Sequence, residues 1–124
     1  MKYWTIAAAM LFANVAAAHE MTPAYPKFES MYLKGILQTT MKIWNRREDA
    51  SYYEINVYDE EWNEIPFTIV DKIVQVGYLE TKSFNIFIRE EDLEKVEFIC
   101  STSKLLKREV INTGITSRIC SRVK

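Results

Sequence analysis

The sequence has one histidine, two cysteines, three glycines and three prolines in 124 residues. A Ser–His–Asp or Cys–His arrangement needs a positioned histidine, and His19 is expected at a flexible chain end. The chain also has no C-x-x-C motif and no glycine-rich phosphate loop. Its adjacent carboxylates, such as Glu60 with Glu61, fall in predicted polar turns, which is not the setting of a catalytic acid pair. The composition therefore predicts a protein that is not an enzyme and needs no cofactor.

The formal net charge is −1, which argues against a nucleic-acid partner. The charges are nevertheless unevenly distributed. Acidic residues cluster at 59–64 and 90–94, whereas only Glu109 is acidic after Ser103. Two interpretations remain open, solvated turns or a basic edge that grips an acidic partner or a carboxylate. The basic residues of this last part are Lys104, Lys107, Arg108, Arg118, Arg122 and Lys124.

The first eighteen residues have the pattern of a secretory signal peptide. Lys2 gives a positive start, 3–12 is an apolar run, and 16–18 supplies small residues before a cleavage site. We predict a signal peptide at 1–18 and one domain at 19–124, with a non-cleaved N-terminal anchor as the alternative. No later segment is apolar enough to cross a bilayer, so we expect a periplasmic or secreted product without stable membrane insertion.

The two cysteines predict a disulfide. In an exported chain, Cys100 and Cys120 are expected to bond to each other rather than to bind a metal. If the last two strands form a hairpin, residue 110 lies midway between the cysteines, inside the connecting segment. The sulfurs would then face each other across neighbouring strands, and the bond would strap one hairpin. A loop of this length contributes about 3 kcal/mol by the chain-entropy account.

Alternating apolar and polar residues predict an all-β fold. In the segment 94–103, Val96, Phe98 and Cys100 are expected on the buried face. Short strands with turns every 8–12 residues indicate an immunoglobulin-like antiparallel β-sandwich of about seven strands, or a small barrel. One helical turn is expected at 90–93. The predicted strands are 25–28, 35–45, 51–59, 65–70, 73–76, 82–89, 94–103 and 114–123, of which 25–28 and 65–70 are edge strands.

Four aromatic residues leave several interpretations open. Tyr52 and Tyr58 share a strand face, Trp44 is expected on a neighbouring strand, and Trp62 falls in a turn. Such a face could be core or turn packing, a surface for a protein partner, or a platform that stacks sugar rings.

Part of the sequence resembles known immunoglobulin-like families. Glu94, Phe98 and Cys100 resemble the immunoglobulin strand that carries an acid, an aromatic residue and a cysteine at this spacing. A longer segment resembles the N-terminal domain of periplasmic pilus-assembly chaperones. The matching stretches are Ile43-Trp-Asn45, Tyr53-Glu-Ile55, Ile65-Pro-Phe67, Leu79, Phe84-Asn-Ile-Phe-Ile-Arg89, and Asp92 followed by Val96-Glu-Phe98.

The resemblance to the chaperones implies a binding role for one residue. Those proteins anchor a subunit's C-terminal carboxylate with basic residues, one of them on the last strand. Arg118 and Arg122 have the spacing of that strand's basic pair, so the resemblance implies this role for Arg118. The chain as a whole also resembles short exported proteins of marine bacteriophages.

These observations predict a non-catalytic protein-interaction module. An edge strand would bind a partner by β-augmentation, and Arg118, Arg122 and Lys104 would contribute charge. One alternative is a pilus-chaperone-like escort of a secreted subunit. Another is a periplasmic copper-binding protein, in which the amine and ring nitrogen of an N-terminal His19 chelate the metal near Met21.

Overall fold

A computed structural model describes residues 19–104 and 116–123 of the chain. Two antiparallel sheets pack face to face, as predicted for an immunoglobulin-like sandwich. In the first sheet, β3 pairs with β1, β2 and β6, and the second sheet has the order β5-β4-β7-β8. The strands are β1 His19–Thr22, β2 Glu29–Ser30, β3 Ile36–Asn45, β4 Tyr52–Tyr58, β5 Ile73–Gln75, β6 Thr81–Arg89, β7 Phe98–Lys104 and β8 Arg118–Arg122.

The core forms largely from the inward faces of β3, β4 and β6. β3 buries every second residue from Leu37 to Asn45. The inward residues of β6 lie beside them in the same sheet, and those of β4 face them from the second sheet. Burial of such apolar side chains is the main favourable term in folding. The fully buried members of this core include Met41, Ile43, Tyr53, Ile55, Val57, Ile86 and Ile99.

β7 and β8 form the predicted hairpin, and its disulfide is present. Cys100 lies directly opposite Cys120, with Cα atoms 4.1 Å apart. The predicted inward face of β7 is wrong, however. Ile99 is fully buried in the core, whereas Phe98 and Cys100 lie on the outer face of the second sheet. Both faces of β7 carry apolar residues, and Cys100 is shielded there although it is not in the core.

The beginning of the domain differs from the prediction of a strand at 25–28. β1 pairs with the C-terminal half of β3, and β2 pairs with its N-terminal half. Between them, 23–28 contains Pro23 and Pro26, which have no N–H group to donate to a ladder. The pairing with β3 is therefore interrupted where a strand was expected.

The segment 65–70 was predicted as an edge strand, but it pairs with β6 at only one residue. Thr68 and Phe87 exchange two backbone hydrogen bonds, of 2.8 and 2.9 Å, along the edge of β6. Pro66 cannot donate to a continued ladder. The predicted helical turn is present as a 3₁₀ helix at Glu90–Lys95, where Arg89 Nε donates to the buried carboxylate of Asp92.

The predicted signal peptide at 1–18 lies outside the described residues and stays a prediction, as does the start of the last strand at 114–115. Among the described residues, no helix has the length and apolar character needed to span a bilayer.

Candidate functional site

β8 is an edge strand of the second sheet. The N–H of Val123 donates to Glu97 O and that of Ser103 to Ser117 O, both at 2.8 Å. Backbone groups of alternate residues point in opposite directions, so those of Arg118, Cys120 and Arg122 point away from β7. Of the described residues, β1 lies close to β8, and Ala24 after it covers this side in part, because its carbonyl accepts the Arg122 N–H at 3.0 Å. We call this row of outward backbone groups the β8 edge.

The three predicted basic residues all lie on the outer face of the second sheet. Lys104 Nζ is 3.3 Å from Glu54 Oε2, and Arg122 Nε donates to Glu97 Oε1 at 2.9 Å. Both basic side chains are about half exposed. The structure therefore brings the residues to one face, where each of these two charges already has a carboxylate partner within the chain.

Arg118 is held by aromatic rings. Its guanidinium carbon lies 4.9 Å from the centre of the Tyr58 ring and 4.7 Å from that of Trp62. These distances are typical of cation–π contacts. Its Nη2 atom also lies 3.9 Å from Cys100 Sγ. The side chain is thus laid along the outer face beside the disulfide.

The turn after β4 places Trp62 in this cluster. Asp59 Oδ1 accepts the N–H groups of Glu61 and Asn63, at 2.9 and 2.8 Å. The bond from Asn63 is the main cause of the lowered pKa of Asp59. Trp62 has a left-handed φ of 66°, and its ring stacks on Phe98 with centroids 4.3 Å apart. The sequence predicted this turn but not the stacking.

The four aromatic residues considered above do not form one face. Trp44 belongs to β3 in the first sheet, whereas Tyr52 and Tyr58 belong to β4 in the second. Consecutive strands along the chain were taken as spatial neighbours, but the connection between β3 and β4 crosses from one sheet to the other. Trp44 contacts Arg46 instead, whose guanidinium carbon is 5.2 Å from its ring centre.

His19 is the largest departure from the sequence prediction. It lies in the sandwich interior with no exposed surface, not at a flexible end. Nε2 is 2.9 Å from Ser101 Oγ, and Nδ1 is 3.1 Å from Ser117 Oγ. The Tyr53 ring packs against it with centroids 4.5 Å apart, and the Tyr53 hydroxyl donates to Asn45 Oδ1. We call these five residues the His19 pocket.

Burial lowers the pKa of His19 to about 4, because a charged imidazolium would lose its hydration. A backbone group of Ser101 opposes this shift, and the positive charge of Arg47 adds to it. Burial also raises the pKa of Tyr53 to about 12. Both groups are therefore neutral over the ordinary pH range.

The His19 pocket bears on two functions that were considered from the sequence. A serine–histidine pair is present after all, but Ser101 and His19 are both fully buried, so a substrate has no access to them. For copper chelation, the ring nitrogen would have to leave its serine partner. His19 and Met21 alternate with the exposed Glu20 and Thr22 in β1, but an alternation of four residues is too short to have indicated that this histidine packs inward.

Comparison with solved structures relates this fold to PapD-like domains. The E. coli chaperone DraB matches with a TM-score of 0.61 and 11% identity, over 85% of this chain and 52% of that chain. A structure of the Salmonella enterica SafA pilin in complex with the SafB chaperone matches with a TM-score of 0.61 and 7% identity, over 87% and 53%. The ASH/PapD-like domain of human CEP192 matches with a TM-score of 0.53 and 9% identity, over 86% and 82%.

These similarities establish the fold, which is PapD-like and immunoglobulin-like. The chain spans about half the length of the first of these matches. No family model matches the sequence, and no curated protein matches it. The resemblance to bacteriophage proteins gains no support from these comparisons.

Proposed function

We propose that this domain is an exported, non-catalytic protein-interaction module that binds an extended peptide along the β8 edge. The supporting observation is that the backbone groups of Arg118 and Cys120 point outward at the end of a four-stranded sheet. A peptide strand can continue such a ladder, so that main-chain hydrogen bonds supply affinity and side chains select the sequence. The disulfide is consistent with export, and a periplasmic or secreted location is part of the proposal.

Arg118, Arg122 and Lys104 would contribute charge to the bound peptide. All three lie on the face next to the edge, and the partners of Arg122 and Lys104 are exposed enough to be exchanged. An exposed ion pair is worth roughly 0–1 kcal/mol, so an acidic group of the peptide could replace Glu97 or Glu54 at small cost. An acidic or carboxylate-bearing strand is therefore the partner class that fits best.

A proline substitution tests the edge directly. Arg118→Ser removes the side chain but keeps the outward N–H, whereas Arg118→Pro removes both and leaves the bonds to β7 in place. The tagged protein would be expressed with its own leader, and partners captured by the native chain would be identified by mass spectrometry. We expect Arg118→Ser and Arg122→Ser to weaken capture and Arg118→Pro to abolish it. Equal capture by folded Arg118→Pro and Arg118→Ser would contradict binding along this edge.

A pilus-chaperone-like escort of a secreted subunit is the second candidate. The fold similarity to the chaperone DraB favours it, because that protein shares the sandwich over most of this chain. The test is whether the purified protein prevents aggregation of an incomplete pilus subunit, followed by light scattering. Suppression at equimolar ratio by the native chain but not by Arg118→Pro would support an escort. Undiminished aggregation would leave only the more general interaction module.

A further inference from the structure

The two sulfur atoms of the disulfide have different surroundings. Cys100 is 1% exposed, whereas Cys120 on the edge strand is exposed. The residues are directly opposite each other on the outer face of the second sheet. A nucleophile arriving from solvent therefore has access to the Cys120 side of the bond.

A cation lies next to the buried sulfur. The Nη2 atom of Arg118 is 3.9 Å from Cys100 Sγ, and the rings of Tyr58 and Trp62 hold the guanidinium in place. In the described part of the chain, no carboxylate forms an ion pair with Arg118, in contrast to Arg122. A neighbouring guanidinium stabilises a thiolate. Cys100 is therefore set up to be the leaving group of an exchange reaction.

We propose that this disulfide is a site of thiol–disulfide exchange in the folded domain, with Cys120 attacked and Cys100 released. An external thiol loses its proton to solvent, and its thiolate attacks Cys120 Sγ. A new S–S bond forms there, the bond to Cys100 breaks, and its electron pair remains on Cys100 Sγ beside Arg118. A second external thiolate then attacks the sulfur of the first, the bond to Cys120 breaks with its electron pair on Cys120 Sγ, and the two external sulfurs leave joined as a disulfide. The substrate class is a small-molecule or protein thiol.

Exchange would have a structural consequence for β8, which the disulfide ties to β7. The same strand carries the edge that we propose as the peptide site, so the reaction would regulate binding there. This consequence rests on the proposed function, whereas the exchange itself does not. The assay below uses the protein alone. If the exchange assay failed, the proposal of peptide binding would still stand. If partner capture failed, the proposal of thiol–disulfide exchange would still stand.

Peptide mapping tests which sulfur is attacked. The oxidised protein would be incubated with glutathione, trapped with excess N-ethylmaleimide and digested with trypsin. Cys100 and Cys120 fall in different tryptic peptides, 96–104 and 119–122. We expect glutathione on 119–122 and maleimide on 96–104. An equal distribution, the reverse distribution, or no adduct until the protein is unfolded would overturn the proposal.

The role of Arg118 is tested by rate. Intact-protein mass spectrometry would follow adduct formation in Arg118→Gln and in the control Arg46→Gln, whose guanidinium also packs on an aromatic ring but lies in the first sheet. We expect Arg118→Gln to slow exchange on the order of threefold through a poorer leaving group, and Arg46→Gln to leave it unchanged. The difference should disappear in concentrated urea. Native exchange rates for Arg118→Gln equal to wild type would exclude a role for the guanidinium.

Discussion

The outer face around Arg118 and the His19 pocket use similar chemical groups in opposite environments. In each, a basic nitrogenous side chain packs on the ring of a tyrosine from β4. Arg118 is exposed and charged on Tyr58, whereas His19 is fully buried and neutral beside Tyr53. The first group can be rearranged by a partner, and the second is fixed by two serine hydroxyls.

This difference shows that burial determines how much a polar contact contributes to stability. In the described chain, no buried side-chain nitrogen or oxygen lacks a hydrogen-bond partner. Removing one partner of such a set leaves a desolvated group unpaired, at a cost of about 1–3 kcal/mol. Removing an exposed ion pair costs roughly 0–1 kcal/mol. We therefore expect stability to depend on the His19 pocket and recognition to depend on the outer face.

The disulfide is expected to be an exception, because it lies on the outer face and yet contributes to stability. It does so by restricting the unfolded chain. Replacing both cysteines by serine should lower the free energy of unfolding by about 3 kcal/mol, since the open chain gains conformational freedom. Urea denaturation of the oxidised protein would measure it. Reduced wild type serves as the control and should match the double variant. A loss below about 1 kcal/mol would mean that the disulfide restricts the unfolded chain only slightly.

His19→Ala should strongly destabilise the fold. It leaves a cavity and removes a hydrogen-bond partner from each of Ser101 and Ser117, so we expect a loss of about 2 kcal/mol. Glu20→Ala is the control on the adjacent residue. Glu20 lies 3.5 Å from Arg46 at the surface and should cost less than about 0.5 kcal/mol. If the two variants unfold at the same urea concentration, the His19 pocket is not a stabilising element.

Acid should weaken the fold through His19. Because folding lowers its pKa from 6.5 to about 4, the unfolded chain takes up the proton first as the pH falls. The contribution of His19 to the free energy of unfolding is complete above pH 6.5. It decreases toward pH 4, by up to about 1.4 kcal/mol per pH unit. Urea midpoints between pH 7 and pH 5 would measure this slope. The sequence contains no other histidine, so His19→Gln should flatten the slope in this window. An unchanged slope would mean that groups other than His19 cause the pH dependence.

The smallest effects are expected on the outer face. Arg118→Gln should cost about 0.5–1 kcal/mol through its ring contacts, and Arg122→Gln less than about 0.5 kcal/mol through the exposed pair with Glu97. High salt should remove most of the Arg122 contribution and less of the Arg118 contribution, because ion pairs at the surface are screened. Equal losses in both variants at low and at high salt would show that the two cations are held in the same way.

Much of the fold followed from alternation along the chain, but parts of the site did not. The strands β3, β4 and β6 were predicted at 35–45, 51–59 and 82–89, because one face of each is clearly more apolar than the other. Arg118, Arg122 and Lys104 were predicted to contribute charge to partner binding, which stays a prediction, and the structure places them together on one face. Their actual partners were not predicted, since Glu54, Glu97 and the ring of Tyr58 are brought near them only by strand register.

The sequence by itself determined the all-β class, the long strands β3, β4 and β6 and the pairing of Cys100 with Cys120, because period-2 patterns and a single pair of cysteines can be read without the fold. The tertiary structure alone decided which face of β7 is inside, since Phe98 and Cys100 are as apolar as Ile99. It also decided that Trp44 and Tyr52 lie in different sheets and that His19 is buried. Burial of a polar side chain depends on partners far along the chain, here Ser101 and Ser117, and no local pattern specifies them.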